Sequence, residues 1–476
     1  MTIKTLKIGL FGIGLETYWN QFEGLRERLE GYQLQIESKL VQNEGSTVVS
    51  VGLIDTIEKA ERAADVFKTE RVSIIFLYIS TYALSSTVLK VVQHVNVPVV
   101  ILNLQPVRAV DYDWFNSLKD RGKMTGEWLA NCQAVTVPEI ANVFYRSRIP
   151  FHQITGTLDD VEAWSEIHDW MAVAKVAFEM SKNRLGVLGH YYNGMLDIYS
   201  DLTLQVVKFG GHIQHLEMCD LKSFQETVTE DEIQLKTKQI FEEFEVLEEC
   251  SSSEIKRAAK TAVALDKLVA HFKLGSMAYY YEGKDGNEYE DIISSVIAGN
   301  SMLTANNIPV AGEYDVKTAQ AMKIMDLFGA GGSFTEFYGL DFNEDIILMG
   351  HDGPGHLTIA EGKPLLKPLG VYHGKPGKGL SVEMKVKLGP VTLLSVVETL
   401  EGNLKLLTAE GESVAGPILE IGNTNSRYKF PINVKSFINA WSQEAPAHHC
   451  AIGVGSLGNK LEKLGAILKI EVVRIC

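Results

Sequence analysis

The chain has 476 residues, 46% hydrophobic and 22% charged, which is room for about three domains with an ample core and no need of staples. Sixty acidic against 45 basic residues leave a net charge of −15, which argues against a nucleic-acid binder and against attachment to an anionic membrane surface. Five cysteines, at 132, 219, 250, 450 and 476, are odd in number and form no CxxC pair, as expected of a reduced cytoplasmic protein.

The opening MTIKTLKIGLFGIG reads as a first β-strand, not as a signal peptide. Residues 16–38 have helical periodicity, VVSVGLI is a second strand and IEKAERAADVFK a helix. VSIIFLYI and VPVVILNL are further strands around a helix. Lys90, His94 and Pro98 interrupt this apolar region, so it is not a membrane span. β-branched runs separated by helices predict a parallel sheet covered on both faces. FHQITG and a long helix at 158–181, capped by Thr157, extend the pattern. The alternation restarts with RLGVLGHY and HIQHLEM, an acidic helical stretch at 221–249, and a helix opened by Ser251 and Glu254 at capping-box spacing. SMAYYYE is a strand and 290–307 a helix. From about residue 333, short alternating strands broken by Gly and Pro predict an antiparallel sandwich or barrel. Two helices (434–445, 458–468) and a strand, KIEVVRI, close the chain. The fold class is therefore α/β. Residues 1–180 and 181–332 are each expected to form a Rossmann-like parallel-sheet domain, and 333–476 a β-rich domain.

Four residues in the C-terminal half carry candidate chemistry. They are Glu313 in AGEYDVKTA, Glu336 in GGSFTEFYG, His351 in MGHDGPGHL and His449 in APAHHCAIG. Two carboxylates and two imidazoles can hold one divalent metal and leave positions open for substrate. Each also has an ordinary structural reading. Glu313 and Asp315 precede a helix, where an acid answers the dipole and Asp315 is a cap. If GGSFTEFYG is a strand, Phe334 and Glu336 share a face, and aromatic neighbours would desolvate the carboxylate and raise its pKa. His356 is an alternative to His351. His448 and His449, if both in a strand, point opposite ways, so that at most one faces a shared ion. GLFGIG lacks the third glycine of a dinucleotide turn, since Thr17 stands there. The acidic run at 229–249 reads as a solvated helix face.

Taken together, these segments resemble the L-arabinose isomerase family over nearly the whole chain. GEYDVKTAQAMKIM resembles its G-E-G-D-x-K-T-A-A, GGSFTEFY its G-T-S-F-M-E-D-Y, MGHDGPGHL its G-S-H segment and APAHHCAIG its G-A-H-H. The resemblance implies Glu313, Glu336, His351 and His449 as ligands of Mn²⁺, with the two glutamates also catalytic. It implies a trimer or hexamer with active sites between subunits, and an open-chain sugar as substrate. Met195 in NGMLD and Tyr281 fall where the family contacts its substrate. The departures are at Gly14, in place of a substrate-contacting Gln, and Thr136, in place of a His that reaches a neighbouring subunit. The expected activity is a cytoplasmic, metal-dependent aldose–ketose isomerisation through a cis-enediol. The alternatives are another aldose as substrate, or a non-catalytic sugar binder on the same scaffold.

Overall fold

The computed structural model describes residues 6–42, 45–284, 286–372, 375–376 and 378–476. It divides into two compact units, Met1–Phe178 and Glu179–Cys476.

The first unit is one five-stranded sheet. Its strands are β1 (Leu6–Ile13), β2 (Ser46–Ile54), β3 (Ile74–Tyr78), β4 (Val99–Gln105) and β5 (Phe151–Thr157), in the order β2-β1-β3-β4-β5, every pair parallel. All of β3 is buried, as a near-continuous apolar run requires when helices cover both faces. Phe11, Phe67, Ile75, Leu77, Ile101 and Phe144 form the core on one side. Thr157 is the last residue of β5 and does not cap the helix that follows. Asp160 does so, accepting from the Glu162 and Ala163 amides at 2.9 and 3.3 Å, because the chain needs three more residues to turn before Val161–Met180 begins.

The second unit opens with four parallel strands: β6 (Arg184–Gly189), β7 (His212–Leu216), β9 (Ser276–Tyr280) and β10 (Val310–Ala311), in the order β10-β9-β6-β7. This is the same winding as the first four strands of the first unit. The acidic stretch is two helices, Met218–Glu226 and Glu230–Glu243. Ser251 caps the helix Ser252–Phe272 by accepting from the Glu254 amide at 3.2 Å. In a small sheet β13 (Leu365–Pro368) lies between β8 (Glu245–Val246) and β16 (Leu380–Glu383), and β14 (Val371–Tyr372) pairs antiparallel with β15 (Lys375–Pro376).

The remaining strands are β11 (Gly331–Asp341), β12 (Ile346–His351), β17 (Gly389–Glu398), β18 (Leu404–Val414), β19 (Thr424–Lys429), β20 (His449–Val454) and β21 (Glu471–Arg474). Their order is β17-β20-β11-β12-β19-β18, and β17 also pairs β18, so six antiparallel strands close on themselves as a barrel. The terminal strand β21 lies outside the ring and runs parallel to β18.

One helix joins the two halves of this unit. Val316–Leu327 is buried from Val316 to Asp326 and packs on β9 and on the barrel strands β11, β17 and β20. A helix covered all round is a core element, and here it buries Lys317, Gln320, Lys323 and Asp326 along with its apolar residues. It starts just past β10, at the carboxyl end of the parallel sheet, which is where open α/β sheets bind ligands.

Candidate metal centre

Glu336 sits on β11 between two neighbours, facing Gly350 of β12 on one side and His449 of β20 on the other. His351 follows Gly350 as the last residue of β12. Three adjacent barrel strands therefore deliver Glu336, His351 and His449 to one end. Phe334, two residues before Glu336, shares its face as the strand period predicts. Its buried ring lies 4.5 Å from His351 and 4.3 Å from His449.

Glu313 arrives from the other side, just after β10. Its backbone and that of Tyr314 are left-handed, with φ of 56° and 64°. Two consecutive non-glycine residues in this region are costly, and such strain gathers at functional sites. Tyr314 is buried against the Tyr191 ring at 4.7 Å, and the Tyr192 amide donates to the Glu313 carbonyl at 3.4 Å. These contacts hold the turn.

The four predicted ligands converge. Glu313 Oε2 is 3.4 Å from His449 Nε2, and Glu313 Oε1 is 4.0 Å from His351 Nε2. Among the described residues, two groups lie close enough to share an ion: Glu313, His448 and His449, and Glu336, His351 and His449. Glu313 Oε2 and His449 Nε2 are buried and make no hydrogen bond within the protein. Buried polar atoms without partners are costly, and a carboxylate facing an imidazole lone pair is what a divalent cation needs. The donor set thus fits a metal.

Each imidazole is held by its other nitrogen. His449 Nδ1 is 3.2 Å from Asp315 Oδ2, His351 Nδ1 is 2.7 Å from the Asp352 carbonyl and His448 Nδ1 is 2.6 Å from Asp197 Oδ2. This is the usual support of metal-binding histidines, and it leaves each Nε2 for the cluster. Asp315 does two tasks, since it also caps the buried helix by accepting from the Thr318 amide at 3.0 Å. Burial opposes charge on Asp315, yet the hydrogen bonds from His449 and Thr318 hold its carboxyl below the usual range. Burial likewise opposes charge on His449, but Asp315, then Glu313 and Glu336, lift its pKa above the ordinary value.

Three sequence expectations change here. His448 does not face away from His449. β20 begins at His449, so His448 lies in the bend before it, free of the strand alternation, and its Nε2 comes within 3.9 Å of Glu313 and 3.8 Å of Glu336. The more desolvated glutamate is Glu313, with its side chain 11% exposed against 30% for Glu336, and burial raises the Glu313 pKa. His356 is no alternative ligand. It is buried, its Nδ1 is 3.1 Å from Thr358 Oγ1, and it belongs to neither ion-sharing group.

The expected substrate contacts divide between the units. Met195 precedes the short turn Leu196–Ile198 that carries Asp197, and Tyr281 follows β9 with its ring 5.3 Å from His190. Gly14 and Thr136 lie in the first unit. The Gly14 amide donates to the Ile54 carbonyl at 3.0 Å, and a Cβ there would meet the Trp19 ring at 2.6 Å. Thr136 is fully buried, its hydroxyl donating to the Thr81 carbonyl at 3.2 Å. Asp197 and the part played by His448 had no sequence signal beyond the His-His doublet.

No family model matches the chain. Curated proteins named L-arabinose isomerase do align with it, at 20% identity over 343 residues for that of Aeromonas salmonicida (strain A449), 22% over 337 for that of Shewanella sp. (strain MR-4) and 24% over 335 for that of Shewanella baltica (strain OS223). These alignments cover 69, 68 and 66% of this chain and 68, 66 and 64% of the relatives' own lengths. The chain is thus similar to these enzymes at a distance, across about two thirds of its length.

Proposed function

We propose that the protein is a metal-dependent aldose–ketose isomerase acting on an open-chain sugar, related in chemistry to L-arabinose isomerases. The observation that carries this reading is the convergence of Glu313, Glu336, His351 and His449 from a parallel-sheet end and three barrel strands. Those four would hold the divalent ion, for which manganese is our choice. The ion would polarise the sugar carbonyl and acidify the neighbouring hydroxyl. Glu336, the more exposed carboxylate, takes the proton from C2 and passes it to O1, giving the cis-enediol. Glu313, ionised while it holds the ion, takes up the proton that the O2 hydroxyl releases and returns it to C1. Tyr281 and Met195 would line the sugar. We also assign to this reading a homo-oligomer in the cytoplasm.

The test is an aldose panel of L-arabinose, D-galactose and L-fucose with Mn²⁺ in D₂O. Ketose carrying solvent deuterium at C1 is expected, and its loss by about 10²-fold or more in Glu313→Gln and Glu336→Gln. Near-normal turnover in either variant overturns the assignment.

A further inference from the structure

Three imidazoles stand at this site, but they are not equivalent. The His449 side chain is 0% exposed and that of His351 9%, whereas that of His448 is 38% exposed. His448 is on the open side of the cluster, with its Nε2 almost equidistant from the two glutamates, at 3.9 and 3.8 Å. One carboxylate oxygen fixes it there. Asp197 Oδ2 accepts from the His448 amide at 2.9 Å and from Nδ1 at 2.6 Å. A carboxylate can only accept, so Nδ1 carries a hydrogen and Nε2 is the ring nitrogen turned toward the glutamates.

The turn that carries Asp197 is itself anchored. Lys317, a buried lysine in the first turn of the helix that follows Glu313, donates through Nζ to the Asp197 carbonyl at 2.5 Å. Glu398 of β17 accepts from Ser200 Oγ, the Asp201 amide and Gln205 Nε2 at 2.6, 3.0 and 3.1 Å. The Tyr199 ring packs on Tyr191 at 4.9 Å, and Tyr191 on Tyr314. Asp197 is therefore presented by a fixed frame. It links the segment that bears Glu313 to the segment that bears His449, through a residue distant in sequence from both.

We propose that Asp197 is a positioning residue that sets His448 as a substrate-facing hydrogen-bond partner between Glu313 and Glu336, outside the four-ligand metal set. The inference rests on the isomerase reading for its substrate, an open-chain polyhydroxy compound. His448 takes a sugar hydroxyl, and Asp197 orients the ring without touching the sugar.

The test compares Asp197→Ala, Asp197→Asn, Lys317→Met and His448→Ala with the wild type. Binding of Mn²⁺ and of L-arabitol to the Mn²⁺-loaded protein is measured by calorimetry, with KM and kcat for whichever aldose is turned over. A linear alditol resembles the open-chain sugar and needs no turnover. Asp197→Ala and His448→Ala are expected to weaken L-arabitol and raise KM by about tenfold, the loss of one hydrogen bond in a polar site, with Mn²⁺ affinity within about twofold. Asp197→Asn, whose amide oxygen accepts from the same two donors, restores most of the affinity, a rescue that loss of packing would not give. Lys317→Met falls between them. Unchanged L-arabitol affinity in Asp197→Ala overturns the proposal. So does a loss of Mn²⁺ affinity in His448→Ala as large as in His449→Ala, which makes His448 a ligand. A wild type that binds Mn²⁺ but neither L-arabitol nor any sugar overturns the isomerase reading and the role of His448 with it. The tether is then judged separately, since hydrogen exchange at the His448 amide must quicken in Asp197→Ala if it exists.

Discussion

Asp315 Oδ2 lies 3.2 Å from His449 Nδ1, and both side chains are wholly removed from solvent. The same carboxylate caps the helix Val316–Leu327, so one residue fixes both a ligand and a core element. Asp315→Ala is expected to lose about 3–5 kcal/mol by stranding a buried partner, part of it the missing cap. Asp315→Asn keeps the cap and is expected to weaken Mn²⁺ by about 10- to 100-fold while costing less stability. Denaturant melts and metal titrations of the two variants check this. Equal Mn²⁺ affinity in Asp315→Asn and wild type would show that the His449 clamp is incidental.

Metal binding should release protons. His449 has a raised pKa, and burial raises that of Glu313. Both must be deprotonated to bind an ion, so Mn²⁺ affinity is expected to fall as pH drops through the raised His449 value, by up to about tenfold per unit for each proton displaced. Calorimetry in two buffers of different ionisation enthalpy reads the proton count. A binding heat independent of buffer at neutral pH contradicts it. Without metal the sign reverses for stability. A His with a raised folded pKa stabilises fully below about 6.5 and loses this as pH rises through the folded value.

His356 has the opposite sign. Burial lowers its pKa in the folded protein, so the unfolded chain binds the extra proton. Its contribution is present above about pH 6.5 and is lost as pH falls toward the lowered value. Replacing it with Gln should flatten the acid side of the stability profile, measured as midpoint against pH. A profile as steep as that of the wild type refutes the assignment.

Phe334→Ala removes a ring, 1% exposed, that packs on both His351 and His449. A loss of about 3–5 kcal/mol is expected, with weaker Mn²⁺ binding because both imidazoles lose a wall. Phe334→Leu should recover much of the stability. If the Ala variant melts within about 1 kcal/mol of wild type, the ring is not part of the packed core.

Much of this was legible residue by residue. The apolar runs at β1, β3 and β4 announced buried parallel strands, because only a sheet covered on both faces tolerates them. The period of two correctly placed Phe334 beside Glu336. The same rule misplaced His448, because it holds only inside a strand and β20 starts one residue later. Aromatic neighbours in sequence suggested that Glu336 was the desolvated carboxylate. Burial is set by what packs from afar, however, and the left-handed turn after β10 puts Glu313 deeper. Barrel closure depends on the pairing of β17 with β18 while β17 also pairs β20, a register that no local pattern encodes. Asp197 was invisible for the same reason, since its partners Lys317 and His448 are remote in the chain.

The register that sets Glu336 opposite His449 also has a kinetic meaning. β11 and β20 are neighbours in the barrel, yet β12 through β19 and a helix are strung between them along the chain. Closing so long a loop is slow and is rewarded only at the end. Completing the four-ligand set therefore waits on the pairing of β20 with β11.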